Sequence, residues 1–174
     1  IAACRILNVD FESIKTKISN IKLPLKRFEF KGKIEGRTIV DDYAHHPKAI
    51  KATIKLGRLF LNEHKKYKRL IAIFQPHRFS RVSEFFIEFA NELALADKII
   101  ITNIYGAGEK NVHNINSSLI STEIFKLNKN VKTVKDNNEI RKNFNHLTRE
   151  NDLIINMGAG DCHNLWQILT SQKN

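Results

Sequence analysis

The chain has 174 residues, 42% of them apolar and 27% charged, which suits one domain with a core of its own and excludes a disordered chain. Its 29 Lys and Arg against 18 Asp and Glu leave a net charge of +11, which admits nucleic acid, an anionic membrane surface or acidic small molecules as partners. The two cysteines, Cys4 and Cys162, stand far apart without metal-type spacing, which argues against a disulfide scaffold and for a reducing compartment.

Residues 1–20 read as helical, with Phe11, Ile14 and Ile18 at helical spacing, and Pro24 ends that region. Arg27–Phe30 and Arg37–Asp41 read as two strands of a hairpin, with Gly32 and Gly36 flanking the turn. Pro47 then opens a helix whose core stripe is Ile50, Ile54, Gly57 and Leu61. Leu70–Phe74 is a continuous apolar run of the kind a doubly covered parallel strand shows. A helix with the stripe Phe86, Phe89, Ala90 and Leu93 follows, then a buried strand at Ile99–Ile101. A helix over 116–127, a short strand over 131–134, a helix over 137–148, a strand at Leu153–Ile155 and a closing helix complete the order. Strand and helix alternate. This predicts an α/β three-layer sandwich, with a mostly parallel Rossmann-like sheet, helices on both faces, right-handed crossovers and an N-terminal β-hairpin.

The sites of such a sheet lie beyond the carboxyl ends of its strands. There the sequence gathers Asp41-Asp42-Tyr43-Ala44-His45-His46, Gln75-Pro76-His77-Arg78-Phe79-Ser80-Arg81, Tyr105-Gly106-Ala107-Gly108-Glu109 and Gly158-Ala159-Gly160-Asp161. A scaffold has no need of acids, imidazoles and guanidiniums along one edge. Each group also has a plainer reading. Asp41 and Asp42 suit turns or helix caps. His45 and His46, being adjacent, point apart and make a poor metal pair. Gly158 and Gly160 serve either a tight turn or an anion at a helix start. Arg78 and Arg81 suit a bidentate grip on a carboxylate or phosphate. The lysines are scattered, as on a solvated surface, so only Arg27, Arg78 and Arg81 stand out. A nucleic-acid module would need clustered cations interleaved with stacking aromatics, whereas the phenylalanines fall on core stripes.

Several absences also bear on the reading. No apolar run approaches the ~20 residues that span a bilayer. No charged leader precedes Ile1, and the start within an apolar stretch, without Met, suits a piece cut from a longer protein. The phosphate-loop pattern G-x-x-x-x-G-K-S/T occurs nowhere, so any ATP-gripping lysine of that kind is expected outside this sequence.

The motifs resemble those of the Mur ligase family. Asp41–Pro47 is similar to the D-D-Y-G/A-H-H-P signature of its C-terminal domain. Gln75–Arg81 is similar to the Q-P-H-R-Y/F-S/T-R segment of its alanine-adding branch, Tyr105–Glu109 to Y-A-A-G-E, Gly158–Asp161 to G-A-G-D, and Arg27-Phe28 to the R-R-F that opens the domain. Order and spacing hold over residues 26–161. The sequence departs at Gly106, where Ala is usual, and at Cys162-His163, where an apolar residue is expected. The recycling branch, which adds a tripeptide, carries an E-P-R-S type segment in place of Gln75–Arg78.

The resemblance implies residues 1–20 as the tail of a preceding ATPase domain and 21–174 as the C-terminal, amino-acid-binding domain of a three-domain cytoplasmic enzyme. It implies ATP-dependent addition of L-alanine to UDP-N-acetylmuramate through an acyl phosphate, in peptidoglycan precursor synthesis, with ATP and Mg²⁺ held mainly by the central domain. It implies no nucleic acid and no membrane as partners. Carried over residue by residue, Asp42 contacts the nucleotide, Tyr43 and His45 line the cleft, and His77, Arg78 and Arg81 hold the alanine carboxylate and the transferring phosphate. His45, Arg78 and Arg81 then form the catalytic set, with Tyr43 beside the ATP and Tyr105 and Asp161 in the substrate-binding wall.

Overall fold

The computed structural model describes residues 2–18, 25–112 and 114–171. After two short helices, α1 (Ala2–Ile6) and α2 (Phe11–Ile18), the order is β1 (Glu29–Ile34), β2 (Arg37–Asp42), α3 (Pro47–Glu63), β3 (Arg69–Phe74), α4 (Phe79–Leu93) and β4 (Lys98–Ile101). Then come α5 (Ser118–Leu127), β5 (Val131–Thr133), α6 (Asn137–Lys142), α7 (Phe144–Leu147), β6 (Asp152–Met157), a 3-10 turn (Asp161–Asn164) and α8 (Leu165–Thr170). The six strands form one sheet in the order β1-β2-β6-β3-β4-β5. Only the β1–β2 pair is antiparallel; β2–β6, β6–β3, β3–β4 and β4–β5 are parallel.

The apolar runs alternate between two cores, because successive residues of a strand face opposite sides. In β3, Leu70, Ala72 and Phe74 join a core with Ile50 and Ile54 of α3, Phe89 and Leu93 of α4, and Ile120 and Ile124 of α5. Ile71 and Ile73 turn the other way, to Ile140 of α6, Phe144 and Leu147 of α7 and Leu165 of α8. Helices therefore cover both faces, and the runs are continuous because neither face meets water. At about 25 cal/mol per Å² of apolar area, full burial of each of these Ile, Leu and Phe side chains contributes about 1.5–3 kcal/mol. The mixed α/β sandwich is the fold expected from the alternating pattern.

The departures have local causes. The helical region expected over 1–20 is two helices separated by residues 7–10, with Phe11, Ile14 and Ile18 in the second; residues 1, 19, 20 and Pro24 lie outside the described residues. The hairpin turn is Glu35-Gly36, both at positive φ, as a two-residue reversal of right-twisted strands requires. Gly32 lies instead at a register shift inside β1, under the Trp166 ring. The expected helix over 137–148 is split at Asn143, whose side chain bonds the Glu139 carbonyl at 3.0 Å in competition with the ladder. Helix α4 starts at Phe79 and buries Val82 as well as Phe89, Ala90 and Leu93, while Phe86 is only half-buried beyond a kink at Phe85.

Candidate functional site

The loop after β3 leaves into α4 on one face, whereas the loop after the neighbouring β6 leaves into the 3-10 turn and α8 on the other. Divergence of two adjacent connections opens a crevice at the carboxyl edge. The β3 side carries Gln75, His77 and Arg78, and the β6 side carries Gly158–Asp161. The edges are knit by backbone: Gln75 N–H donates to Met157 C=O at 2.9 Å, Tyr105 N–H to Pro76 C=O at 2.8 Å, and Arg78 N–H to Tyr105 C=O at 2.8 Å. Arg78, at φ 71°, caps α4 with a backbone that side chains other than glycine seldom adopt, a local strain of the sort that collects at functional sites.

A file of rings crosses this edge. His163 stacks on Tyr43 (centroids 6.0 Å, 9° between planes), Tyr43 meets His45 edge-on at 5.0 Å, His45 meets His77 at 5.7 Å, and His77 stacks on Tyr105 at 5.6 Å. His46 is not in the file; its ring packs on Phe85 at 5.1 Å, so the adjacent imidazoles diverge. Partial burial lowers the pKa of His45, His77 and His163, and the Arg81 guanidinium pushes His45 and His77 further down. Neutral rings have definite tautomers here. His45 Nδ1 lies 2.8 Å from the Tyr43 carbonyl, which only accepts, so Nδ1 carries the proton and Nε2 is left as an acceptor. His77 Nδ1 lies 3.3 Å from Arg81 Nη1, which only donates, so the His77 proton sits on Nε2 as a donor. One edge thus offers an unprotonated nitrogen, an N–H and two guanidiniums.

Residues 26–160 match the family described as "Mur ligase, glutamate ligase domain". The chain belongs to the Mur ligase family. It is 58% identical over 178 residues to a UDP-N-acetylmuramate–L-alanine ligase of Prochlorococcus marinus subsp. pastoris, aligning 99% of this chain with 38% of that protein. A protein of the same name from Synechococcus sp. (strain CC9311) is 36% identical over 99% of this chain and 37% of its own length. The chain therefore spans a little over a third of these relatives. Among solved structures, the UDP-N-acetylmuramate–alanine ligase of Thermotoga maritima superposes with a TM-score of 0.75 at 23% identity, covering 97% of this chain and 34% of that one; at this identity the likeness is one of fold.

Against this Mur ligase framework, Tyr43, His45, His77 and Tyr105 lie together in the ring file, with Arg81 beside it against His77. Arg78 is exposed at the head of α4, and its charge is felt by Glu109, which accepts both the N–H and the O–H of Ser80. Arg27 reaches the Tyr43 ring at 6.0 Å. Asp42 is buried and held: Oδ2 accepts the Phe28 N–H and Oδ1 the Ala44 N–H, each at 2.8 Å, which ties the approach to β1 to the turn before α3. Asp41 is neither turn nor cap. It lies inside β2 against Asn156, whose Nδ2 donates to it at 2.9 Å, and burial raises its carboxyl to about 6. Asp161 lines a cleft of about 330 Å³ with Tyr105, Asn103, Lys135 and Asn137.

The glycines of the Mur ligase turn are there for close approach. A Cβ on Gly160 would come within 2.5 Å of Gln75 Oε1 and 2.6 Å of Tyr105 Cγ, and one on Gly158 within 2.7 Å of Cys162 Sγ. Gln75, Asn137, Asn156 and His163 had no role assigned from the sequence. For Gln75 and Asn156 the available signal was an amide set directly after a run of buried apolar residues. Both ring nitrogens of His163 are buried without a partner among the described residues. Among those residues no group of three His, Cys, Asp or Glu side chains could hold a metal ion, and no helix is long and apolar enough to cross a membrane.

Proposed function

We propose that residues 21–174 form the C-terminal, amino-acid-binding domain of an ATP-dependent ligase that joins L-alanine to UDP-N-acetylmuramate. In this reading residues 1–20 end the preceding ATPase domain. The exposed Ile6, Leu7 and Phe11 and the start of the family match at residue 26 support that boundary. The enzyme works in the cytoplasm, with ATP and Mg²⁺ carried mainly by the central domain.

One observation carries the assignment: separate strand ends bring two neutral imidazoles of opposite hydrogen-bonding sense and the Arg81 guanidinium to one edge. The muramyl carboxylate takes the γ-phosphoryl group of ATP to give an acyl phosphate, and ADP leaves. The alanine amine then attacks its carbonyl carbon, and phosphate leaves. Arg78 and Arg81 grip the alanine carboxylate and the transferring phosphate, since guanidinium forks match both anions. His77 donates from Nε2 to the same anion, and His45 Nε2 accepts a proton from the attacking amine. Tyr43 and Asp42 face the nucleotide, Asp42 through the lone pair each oxygen retains. Tyr105 and Asp161 wall the substrate cleft. Closure over the central domain excludes water from the acyl phosphate.

The test is L-alanine-dependent release of phosphate from ATP by the full-length protein, with UDP-N-acetylmuramate supplied, and no release by the 174-residue chain alone. Phosphate release that needs no alanine, or that needs a tripeptide in its place, overturns the assignment.

A further inference from the structure

The Asp161–Cys162 segment is held from three elements at once. Gln75, at the end of β3, donates from Nε2 to Asp161 Oδ1 at 2.5 Å and accepts the Cys162 N–H on Oε1 at 3.1 Å. Asn156, in β6, donates to Cys162 C=O at 2.9 Å, and Asn137, opening α6, donates to Asp161 C=O at 3.2 Å. A segment gripped by three amide side chains is over-determined, which is how a site is kept at fixed geometry. Of the three, Gln75 alone bonds the Asp161 carboxylate, and it does so across the crevice where the connections from β3 and β6 part. Gly160 is wedged between Gln75 and Tyr105, Tyr105 stacks on His77, and His77 accepts from Arg81. A displacement at Gln75 therefore has an unbroken line of contacts to the guanidinium.

We propose that Gln75 is a positioning residue for the amino-acid site. Its amide fixes the Asp161 carboxylate and, through Gly160, the Tyr105–His77–Arg81 wall. This deepens the ligase reading and rests on it for its kinetic arm. The contact has a polarity: Gln75 gives the proton and Asp161 receives it. Gln75→Glu sets two carboxylates against each other, so the donated hydrogen bond gives way to like-charge repulsion, which is relieved only when acid supplies the pair with a proton that the non-titrating Gln75 never needed. Gln75→Glu with Asp161→Asn exchanges donor and acceptor at constant net charge, and leaves Oε1 free to accept the Cys162 N–H.

The first arm uses the 174-residue chain, which closes two cores of its own, and needs no activity. Gln75→Glu should lower the melting temperature, and adding Asp161→Asn should restore most of the loss. A double variant no more stable than the single one would overturn the contact, whether or not the chain is a ligase. The second arm uses the full-length protein. There Gln75→Glu should raise KM for L-alanine about tenfold at about pH 8, the effect of a lost hydrogen bond to a charged group, and leave KM for ATP within about twofold. The alanine defect should shrink towards about pH 6 as the pair takes up its proton. A lowered melting temperature with KM for L-alanine unchanged, or equal rises in both constants, would make Gln75 structural only and overturn the proposal.

Discussion

Replacement of Asp41 by Asn should stabilise the chain increasingly as the pH rises. Asp41 is 2% exposed inside β2, and burial lifts its carboxyl from 3.8 to about 6 against the opposing pull of the Asn156 amide and of Lys31. In the unfolded chain it titrates near 3.8. A carboxyl with a raised folded-state pKa gives its full contribution below the unfolded value, where it is neutral in both states, and that contribution is lost as the pH rises through about 6. At about 1.4 kcal/mol per pH unit, the displacement makes ionised Asp41 cost the fold about 3 kcal/mol at neutral pH. The amide that replaces the carboxyl is neutral throughout and keeps a carbonyl oxygen for the Asn156 side chain. Urea unfolding of both proteins at about pH 4, 5, 6 and 7.5 gives the difference directly, since every other titrating group cancels between them. The stability of Asp41→Asn relative to wild type should be least at the acid end and grow by about 2.5 kcal/mol across the series, since a small part of the cost is already present at about pH 4. A difference independent of pH would refute the reasoning.

Two further substitutions test other parts of the molecule. In the full-length protein Arg81→Lys keeps the charge and loses the fork, so steady-state kinetics should show KM for alanine raised at least about tenfold and KM for ATP moved much less. An equal effect on both would assign Arg81 to the phosphate. Asp152 is fully buried and takes both Arg69 Nε (2.9 Å) and Nη2 (2.7 Å), with the Arg149 N–H at 2.7 Å. Asp152→Asn leaves a guanidinium facing an amide, but one that still reaches water, so a loss of about 2–3 kcal/mol and a melting point lower by roughly 5–10 °C follow. Calorimetry with a shift under about 2 °C would contradict this.

The sheet was legible because its strands are covered on both faces: Leu70–Phe74, Ile99–Ile101 and Leu153–Ile155 admit no polar side chain, and burial alone marks them. The hairpin and the helix opened by Pro47 were legible from backbone chemistry local to Gly36 and Pro47. The split at Asn143 was not, since Asn143 competes for a carbonyl only once that turn is wound. The motifs at the strand ends named His45, His77, Arg81 and Tyr105, because a folded sheet of this kind delivers its loops to one edge.

The sequence by itself determined the α/β class, the edge where chemistry gathers and the family whose motifs it carries, because periodicity and motif are properties of consecutive residues. The tertiary structure alone decided what each polar group is for. Asp41 and Asp42 are neighbours, yet one is pressed against Asn156, 115 residues away, and the other accepts two backbone N–H groups, from Phe28 and Ala44. His45 and His77 are neutral with opposite tautomers because a carbonyl faces one and a guanidinium the other. Gln75 is one more polar residue beyond a strand end until β6 comes alongside and gives it Asp161. Hydrogen bonds and desolvation act over a few ångströms of space, whatever the separation along the chain, so these roles come into being only when the sheet closes.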